Sequence, residues 1–197
     1  MVMNKYFFAT FAVALLGTQA NANADSDNGL FFKPYVGGDY QYSDIKFKND
    51  DKGIFPNSYN GGDIHIGARV HEYFGVEGSI FATAKSTKDN VDGSGLNARA
   101  KLDGSAFDFM GYYPIPSTKA ELIGSVGIAH LQATEQATGI AAVKDTETKA
   151  RFGAGAQYWV SDNMNIRALV RYQDDNNRSS GESSIVTATV GVNWQFK

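Results

Sequence analysis

The chain has 197 residues, of which 18 are basic and 21 acidic, and it contains no cysteine. The absence of cysteine excludes a disulfide framework, a thiol nucleophile and a thiolate metal site, and a formal charge of −3 without basic clusters argues against a nucleic-acid-binding protein. The 21 glycines and 13% aromatic residues are typical of a single β domain with tight turns.

The first 24 residues have the pattern of a secretory signal peptide. Lys5 supplies the positive region, residues 6–17 supply the apolar core, and Ala22 and Ala24 form a small-x-small cleavage site. We therefore expect residues 1–24 to be a cleaved signal peptide, residues 25–197 to be the mature domain, and the protein to be exported from the cytoplasm.

Runs in which apolar and other side chains alternate follow along the mature chain, and period two is the period of a β-strand. The eight runs cover residues 35–42, 63–70, 74–83, 104–113, 121–129, 149–158, 165–172 and 186–196. Most have the length that a tilted strand needs to cross a bilayer, which is about ten residues. Short connections at 71–73, 114–119 and 161–164 alternate with long polar segments at roughly 44–61, 85–101, 133–147 and 174–183.

This pattern predicts an all-β fold, namely a closed eight-stranded antiparallel up-and-down transmembrane β-barrel with short periplasmic turns and four longer extracellular loops. One face of the runs is apolar, with aromatic residues near the run ends. These aromatic residues are Tyr40, Tyr42, Phe74, Tyr113, Tyr158, Tyr172, Trp194 and Phe196. The other face carries Asp39, Asp63, Glu77, Asp108, Glu121, Arg69, Lys149, Arg151, Arg167 and Arg171.

Composition alone does not decide which face lines the lumen. Water outside the barrel would permit an apolar lumen, whereas lipid outside requires the apolar face to point outward and the charges inward. Strand length, the sorting of short and long connections, and the aromatic run ends favour lipid. The lumen is therefore expected to be charged.

Counting residues from the short turns places one group of these side chains at middle depth. The group consists of Asp39, His65, Glu77, Asp108, Arg167 and Arg171. Because an unpaired ion in a narrow lumen is costly, we expect a plug of ion pairs and hydrogen bonds, which is either a static core that fills space or a gate. A wide diffusion pore is disfavoured, since open channels have about sixteen strands.

The last strand carries Thr189, Gly191, Trp194 and Phe196 in a polar-x-Gly-x-x-aromatic-x-aromatic pattern. This pattern resembles the terminal signal that the barrel-assembly machinery recognises in its clients. Together with the strand-turn-strand segment of residues 152–172, it makes the mature chain resemble the OmpA-like eight-stranded outer-membrane β-barrel family. No peptidoglycan-binding domain follows the barrel, so the wall-anchoring role of full-length relatives is not expected.

The resemblance implies a structural role in the bacterial outer membrane and a narrow path that opens when ion pairs exchange partners. It implies outer-membrane lipids and lipopolysaccharide as surroundings, a monomer, and no cofactor. The alternative is adhesion to a surface ligand through the loops. The first loop carries Phe47, Ile54, Phe55 and Tyr59, which either contact a partner or pack on the barrel rim. A lipid A-modifying enzyme is a third hypothesis, but His65, His71 and His130 form no recognisable triad, and neither catalytic residues nor a metal site are expected.

Overall fold

A computed structural model describes residues 30–47, 56–89, 97–137, 142–174 and 182–196, and the predicted signal peptide lies outside these residues. The described chain is all-β. Its strands are β1 Leu30–Phe47, β2 Ser58–His71, β3 Phe74–Thr83, β4 Ser86–Lys88, β5 Ala98–Pro114, β6 Ala120–Ala137, β7 Val143–Trp159, β8 Met164–Asp174 and β9 Glu182–Gln195. Within these ranges, no helix has the length and hydropathy required to cross a membrane.

The strands close into a barrel by antiparallel pairing of chain neighbours. β9 pairs with β1, and β3 pairs with β5, so the sheet has no open side. The short strand β4 also pairs with β5 and continues the wall of β3 after an interruption at Ala84 and Lys85. The predicted eight-walled up-and-down barrel is therefore confirmed, with one wall divided into two strands.

The strands are longer than the sequence predicted, and the predicted bounds of the long loops were wrong. β5, β6 and β7 have 17, 18 and 17 residues. Pairing continues through positions that had been assigned to loops, such as Asp44 opposite Ser58 and Thr134 opposite Lys144. The connections between strands shrink to residues 48–57, 89–97, 138–142 and 175–181.

The short connections lie at the opposite end of the barrel, at residues 72–73, 115–119 and 160–163, as the sequence predicted. We call this the turn end, and the end with the longer connections the loop end. In the strand extensions toward the loop end, the outer face carries polar side chains, so the alternation that marks a membrane strand is lost although the backbone remains paired.

The apolar face points outward and the charged face points inward. Ile64 and Val190 on the outside are 62% and 50% exposed, whereas none of the charged side chains predicted for the lumen is more than 8% exposed. On β9 the outer apolar run extends from Val186 to Trp194, which is about 27 Å along the strand. At a tilt of about 40° this spans roughly 20 Å, close to the ~25 Å apolar band of outer-membrane barrels.

Two apolar clusters and one charged layer fill the barrel interior. The larger apolar cluster lies toward the loop end, and we call it the loop-end plug. The charged layer lies at the centre of the barrel. The plug contains Ile45, Tyr59, Phe81, Ala100, Leu102, Ala106, Ala129, Leu131 and Ile185. Met110, Tyr112, Ile123 and Leu169 form a second apolar cluster. The sequence predicted the charged layer but not the plug.

Candidate functional site in the lumen

Arg167 on β8 is the centre of the charged layer and is 2% exposed. Its Nε and Nη2 donate to Asp39 Oδ2 on β1 at 3.1 and 2.8 Å. Its Nη1 and Nη2 donate to Glu77 Oε2 and Oε1 on β3 at 2.5 and 3.2 Å. One guanidinium thus joins two carboxylates that come from different walls of the barrel.

Glu77 extends the network toward a second arginine. Arg171 Nη2 donates to Glu77 Oε1 at 3.2 Å and lies 4.0 Å from Asp108 Oδ2. Asp108 in turn is paired with Arg151, which donates from Nε at 2.7 Å and makes a second close contact through Nη2. Acids and bases therefore alternate from Asp39 to Arg151 across the lumen. We call this set, with His65 and Asp63, the central network.

His65 on β2 joins the network through both ring nitrogens. Nδ1 lies 2.8 Å from Asp63 Oδ1 and 3.1 Å from Arg167 Nη2, and Nε2 lies 2.5 Å from Asn193 Oδ1. The carboxylates of the network contribute four negative charges and the guanidiniums three positive ones. A proton on His65 would bring this sum to zero.

Three potential metal-ligating groups meet at this point. Atoms of Asp39, Asp63 and His65 lie within 4.8 Å of one another. However, Arg167 already donates to Asp39 and touches His65 Nδ1. A divalent cation would have to displace this guanidinium or be repelled by it, so the three groups are better explained as part of the ion-pair network.

The structure brings all six residues of the predicted lumen group together. Sequence reasoning placed Arg151 in the lumen but not in this group, and it missed Tyr35, whose hydroxyl donates to Glu77 Oε2 at 3.0 Å. A separate pair lies nearer the turn end, where Arg69 Nη1 contacts Glu121 Oε2 at 3.1 Å. Arg69 also lies over the Tyr112 ring, 4.3 Å from its centroid.

Glycines lie opposite the charged side chains of the network in the strand register. Gly191 faces Asp39 and Arg167, Gly127 faces Asp108 and Arg151, Gly67 faces Glu77, Gly153 faces Arg171, and Gly37 faces His65. A Cβ at Gly127 would lie 2.1 Å from the Phe107 carbonyl oxygen and 2.2 Å from Asp108 Oδ1. Because the backbone of the neighbouring strand and the side chains inside the lumen leave no space at these positions, only hydrogen fits there.

We expect Gly127→Ala to destabilise the barrel by about 1–3 kcal/mol, the range for overpacking a filled interior. The matched control is Gly124→Ala on the outer face of the same strand, where a Cβ would meet nothing within 4 Å. Equilibrium unfolding in urea, followed by tryptophan fluorescence in lipid vesicles, measures both variants. Equal stability of the two would contradict the close packing of Asp108 over β6.

The remaining predicted residues lie outside the network. Thr189 is buried inside the barrel, Trp194 is 51% exposed on the outer surface, and the Phe196 amide donates to the Pro34 carbonyl at 2.8 Å. His71 Nδ1 accepts from the Tyr73 amide at the turn end. His130 Nδ1 lies 3.1 Å from Thr148 Oγ1 on the outer face.

Tyr59 is not displayed on a loop, which corrects the sequence interpretation. It lies in β2, is 3% exposed, and belongs to the loop-end plug, with its hydroxyl donating to the Pro56 carbonyl at 2.8 Å. Phe47 is the last residue of β1, and Ile54 and Phe55 lie outside the described residues. Tyr59 therefore points into the barrel.

A closed antiparallel barrel with an apolar outer band and a charged interior defines a transmembrane β-barrel protein. Residues 9–196 match the outer membrane protein beta-barrel domain family, and the chain belongs to that family. The protein is therefore an outer-membrane protein. In this class the short turns face the periplasm and the longer loops face the exterior, so the loop end is extracellular.

Solved structures with the same fold come from several bacteria, while no curated protein sequence gives a significant match. The attachment invasion locus protein Ail of Yersinia pestis, in complex with the heparin analogue sucrose octasulfate, is 18% identical with a TM-score of 0.57, covering 84% of this chain and 99% of that one. Neisserial surface protein A is 15% identical with a TM-score of 0.56, and the match covers 83% of this chain and 97% of that one. The N-terminal barrel of Pseudomonas aeruginosa OprF is 18% identical with a TM-score of 0.54, and the match covers 82% of this chain and 97% of that one. These similarities show the fold alone.

Proposed function

We propose that this protein is a structural component of the outer membrane whose lumen is sealed at rest. The observation that carries this proposal is the stacking of two different barriers, the loop-end plug and the central network. A cavity of about 550 Å³ lies at the periplasmic mouth, where Arg69, Glu121 and Trp159 are among its lining residues. A solute that entered there would still have to pass a charged layer and then an apolar one.

A narrow gated pore is the second candidate, and the arrangement of alternative partners favours it. Glu77 is shared between Arg167 and Arg171, and Asp108 lies 4.0 Å from Arg171. A rotamer change would move Arg171 from Glu77 to Asp108 without leaving a charge unpaired for long. Such an exchange would open the central layer only, so conduction also requires displacement of the plug.

Single-channel recording in planar bilayers tests the sealed lumen. We expect no sustained conductance from the wild type, from Glu77→Gln, or from the double variant Phe81→Ala with Ile185→Ala, because each retains at least one barrier. The triple variant should conduct. Phe109→Ala, which removes an aromatic ring from the outer face, serves as the control, and heat-modifiable gel mobility verifies folding of every variant.

Two outcomes would change this account. Openings in the wild type that disappear in Glu77→Gln would overturn the sealed lumen and support a gate at the central network. Full conductance in Phe81→Ala with Ile185→Ala would show that the central network is no barrier to ions.

We also infer how the protein is made and what it does not do. Export would use the signal peptide of residues 1–24, with cleavage after Ala24, and the assembly machinery would recognise Thr189, Gly191, Trp194 and Phe196.

A monomer is favoured because a closed barrel has no sheet edge to pair with another copy. A non-enzymatic role is favoured because His65, His71 and His130 lie at different depths with unrelated partners.

A further inference from the structure

The cavity at the periplasmic mouth has a charged rim that a sealed lumen does not require. Four exposed side chains supply this rim, one from the start of β1 and one from each of the three periplasmic turns. In order around the barrel they are Lys33, Glu72, Lys119 and Asp162. Positive and negative side chains therefore alternate around the opening, and we call this set the mouth ring.

The charges of the mouth ring are not neutralised by one another. Within the part of the chain that the structure describes, no ion pair includes a member of the ring. Lys33 Nζ instead lies over the Phe31 ring, 4.8 Å from its centroid. Successive members are about two strands apart, which is roughly 10 Å at the backbone. Since this is close to the Debye length in physiological salt, the ring charges attract one another only weakly and are available to a ligand.

The inner part of the cavity is held in place by polar contacts. Arg69 Nη1 donates to Glu121 Oε1 and Oε2 at 3.2 and 3.1 Å, and Gln157 Nε2 donates to Glu121 Oε2 at 2.5 Å. Phe31 and Trp159 add aromatic surface to the lining. The volume of about 550 Å³ lies within the range of small-molecule sites, which is about 300–1,000 Å³. The mouth is therefore a preformed site that suits a compact ligand.

We propose that the mouth ring binds short peptides with free termini, which gives the cavity a role beyond that of a sealed barrel. A ligand of one charge would pair with half of the ring and be repelled by the other half, so the ring favours a ligand that carries both signs. The ammonium groups of the peptide pair with the two acids of the ring, and its carboxylates pair with the two lysines. Aliphatic parts of the peptide pack on Phe31 and Trp159.

Titration with the dipeptide lysylglutamate tests the proposal, because its ammonium and carboxylate groups provide a partner for each charge of the ring. The chain has 2 tryptophans, of which Trp159 lines the cavity and Trp194 lies on the outer surface. Their indole N–H signals in proton–nitrogen NMR spectra of the barrel in nanodiscs are assigned with Trp194→Phe. We expect the dipeptide to shift the Trp159 signal saturably and to leave the Trp194 signal unchanged.

The double variant Lys33→Gln with Asp162→Asn removes one charge of each sign from the ring and leaves the net charge unchanged. We expect the Kd for the dipeptide to rise about tenfold, since an exposed ion pair contributes roughly threefold in affinity. The matched control is Lys85→Gln with Asp89→Asn, which removes the same charges from exposed positions near the loop end and should bind as the wild type does. Heat-modifiable gel mobility verifies that each variant is folded.

A dipeptide with an acetylated amino terminus and an amidated carboxyl terminus distinguishes a free peptide from a segment of a longer chain, and we expect it to bind about tenfold more weakly because it lacks two charges. The proposal is overturned if the Trp159 signal does not shift, if Trp194 shifts equally, or if the ring variant keeps the wild-type Kd. Equal binding of the capped dipeptide would also overturn it, since the ligand would then be a segment of a longer chain. The cavity lies on the periplasmic side of the central network, so none of these outcomes depends on whether the lumen conducts.

Discussion

Glu77→Gln is expected to lower the free energy of unfolding by about 3–5 kcal/mol, the cost of removing one partner from a buried ion pair. Glu77 is 1% exposed and accepts hydrogen bonds from Arg167, Arg171 and Tyr35. The neutral amide keeps the shape of the side chain but leaves two guanidiniums with one carboxylate fewer. Equilibrium unfolding in urea, with the barrel in lipid vesicles, measures the loss.

Glu72→Gln is the control, because Glu72 is exposed in the first periplasmic turn, and it should change stability by less than about 0.5 kcal/mol. The double variant Glu77→Gln with Arg171→Gln should lose less free energy of unfolding than the two single variants lose together, since it removes both members of one ion pair and leaves the charge sum of the network unchanged. A loss below about 1 kcal/mol for Glu77→Gln, or strict additivity in the double variant, would contradict a coupled network.

The two faces could be predicted from the sequence because a strand that crosses lipid must alternate strictly, and strand length, the sorting of the connections and the aromatic run ends indicated which face points outward. Ile64 and Val170 on the outside and His65 and Leu169 beside them on the inside follow this rule. Depth could also be predicted, since residues at similar distances from the short turns come to similar heights. Glu77, Asp108 and Arg167, grouped on that basis, lie in one network of contacts in the structure.

Partner choice could not be predicted from single runs, because it depends on the register between strands. Arg151 is the direct partner of Asp108, a fact that requires knowing that both lie opposite Gly127. The glycines carried a usable signal. An inward-facing glycine in a charged lumen indicates that a long side chain from a neighbouring strand lies above it, and Gly191 between Asp39 and Arg167 is the clearest instance.

The loop-end plug was missed because most of its residues lie outside the predicted runs, in or beside segments that look like polar loops. Ile45 and Leu102 are each flanked by Asp and Lys, and Ile185 follows Ser183 and Ser184. Beyond the membrane the outer face is polar as well, so the contrast between faces no longer resembles a lipid-facing strand. Only the continued pairing of the backbone shows that these side chains converge inside the barrel.

Val190→Arg tests most directly whether acyl chains, rather than water, surround the outer apolar band. Val190 lies midway along the outer run of β9 and is 50% exposed. Thr146→Arg, on the outer face of β7 beyond the apolar band, is the matched control. In phospholipid vesicles, Val190→Arg should reduce the free energy of unfolding by about 2–4 kcal/mol and Thr146→Arg by at most about 1. Equal, negligible losses in both variants would mean that water, not acyl chains, surrounds the band.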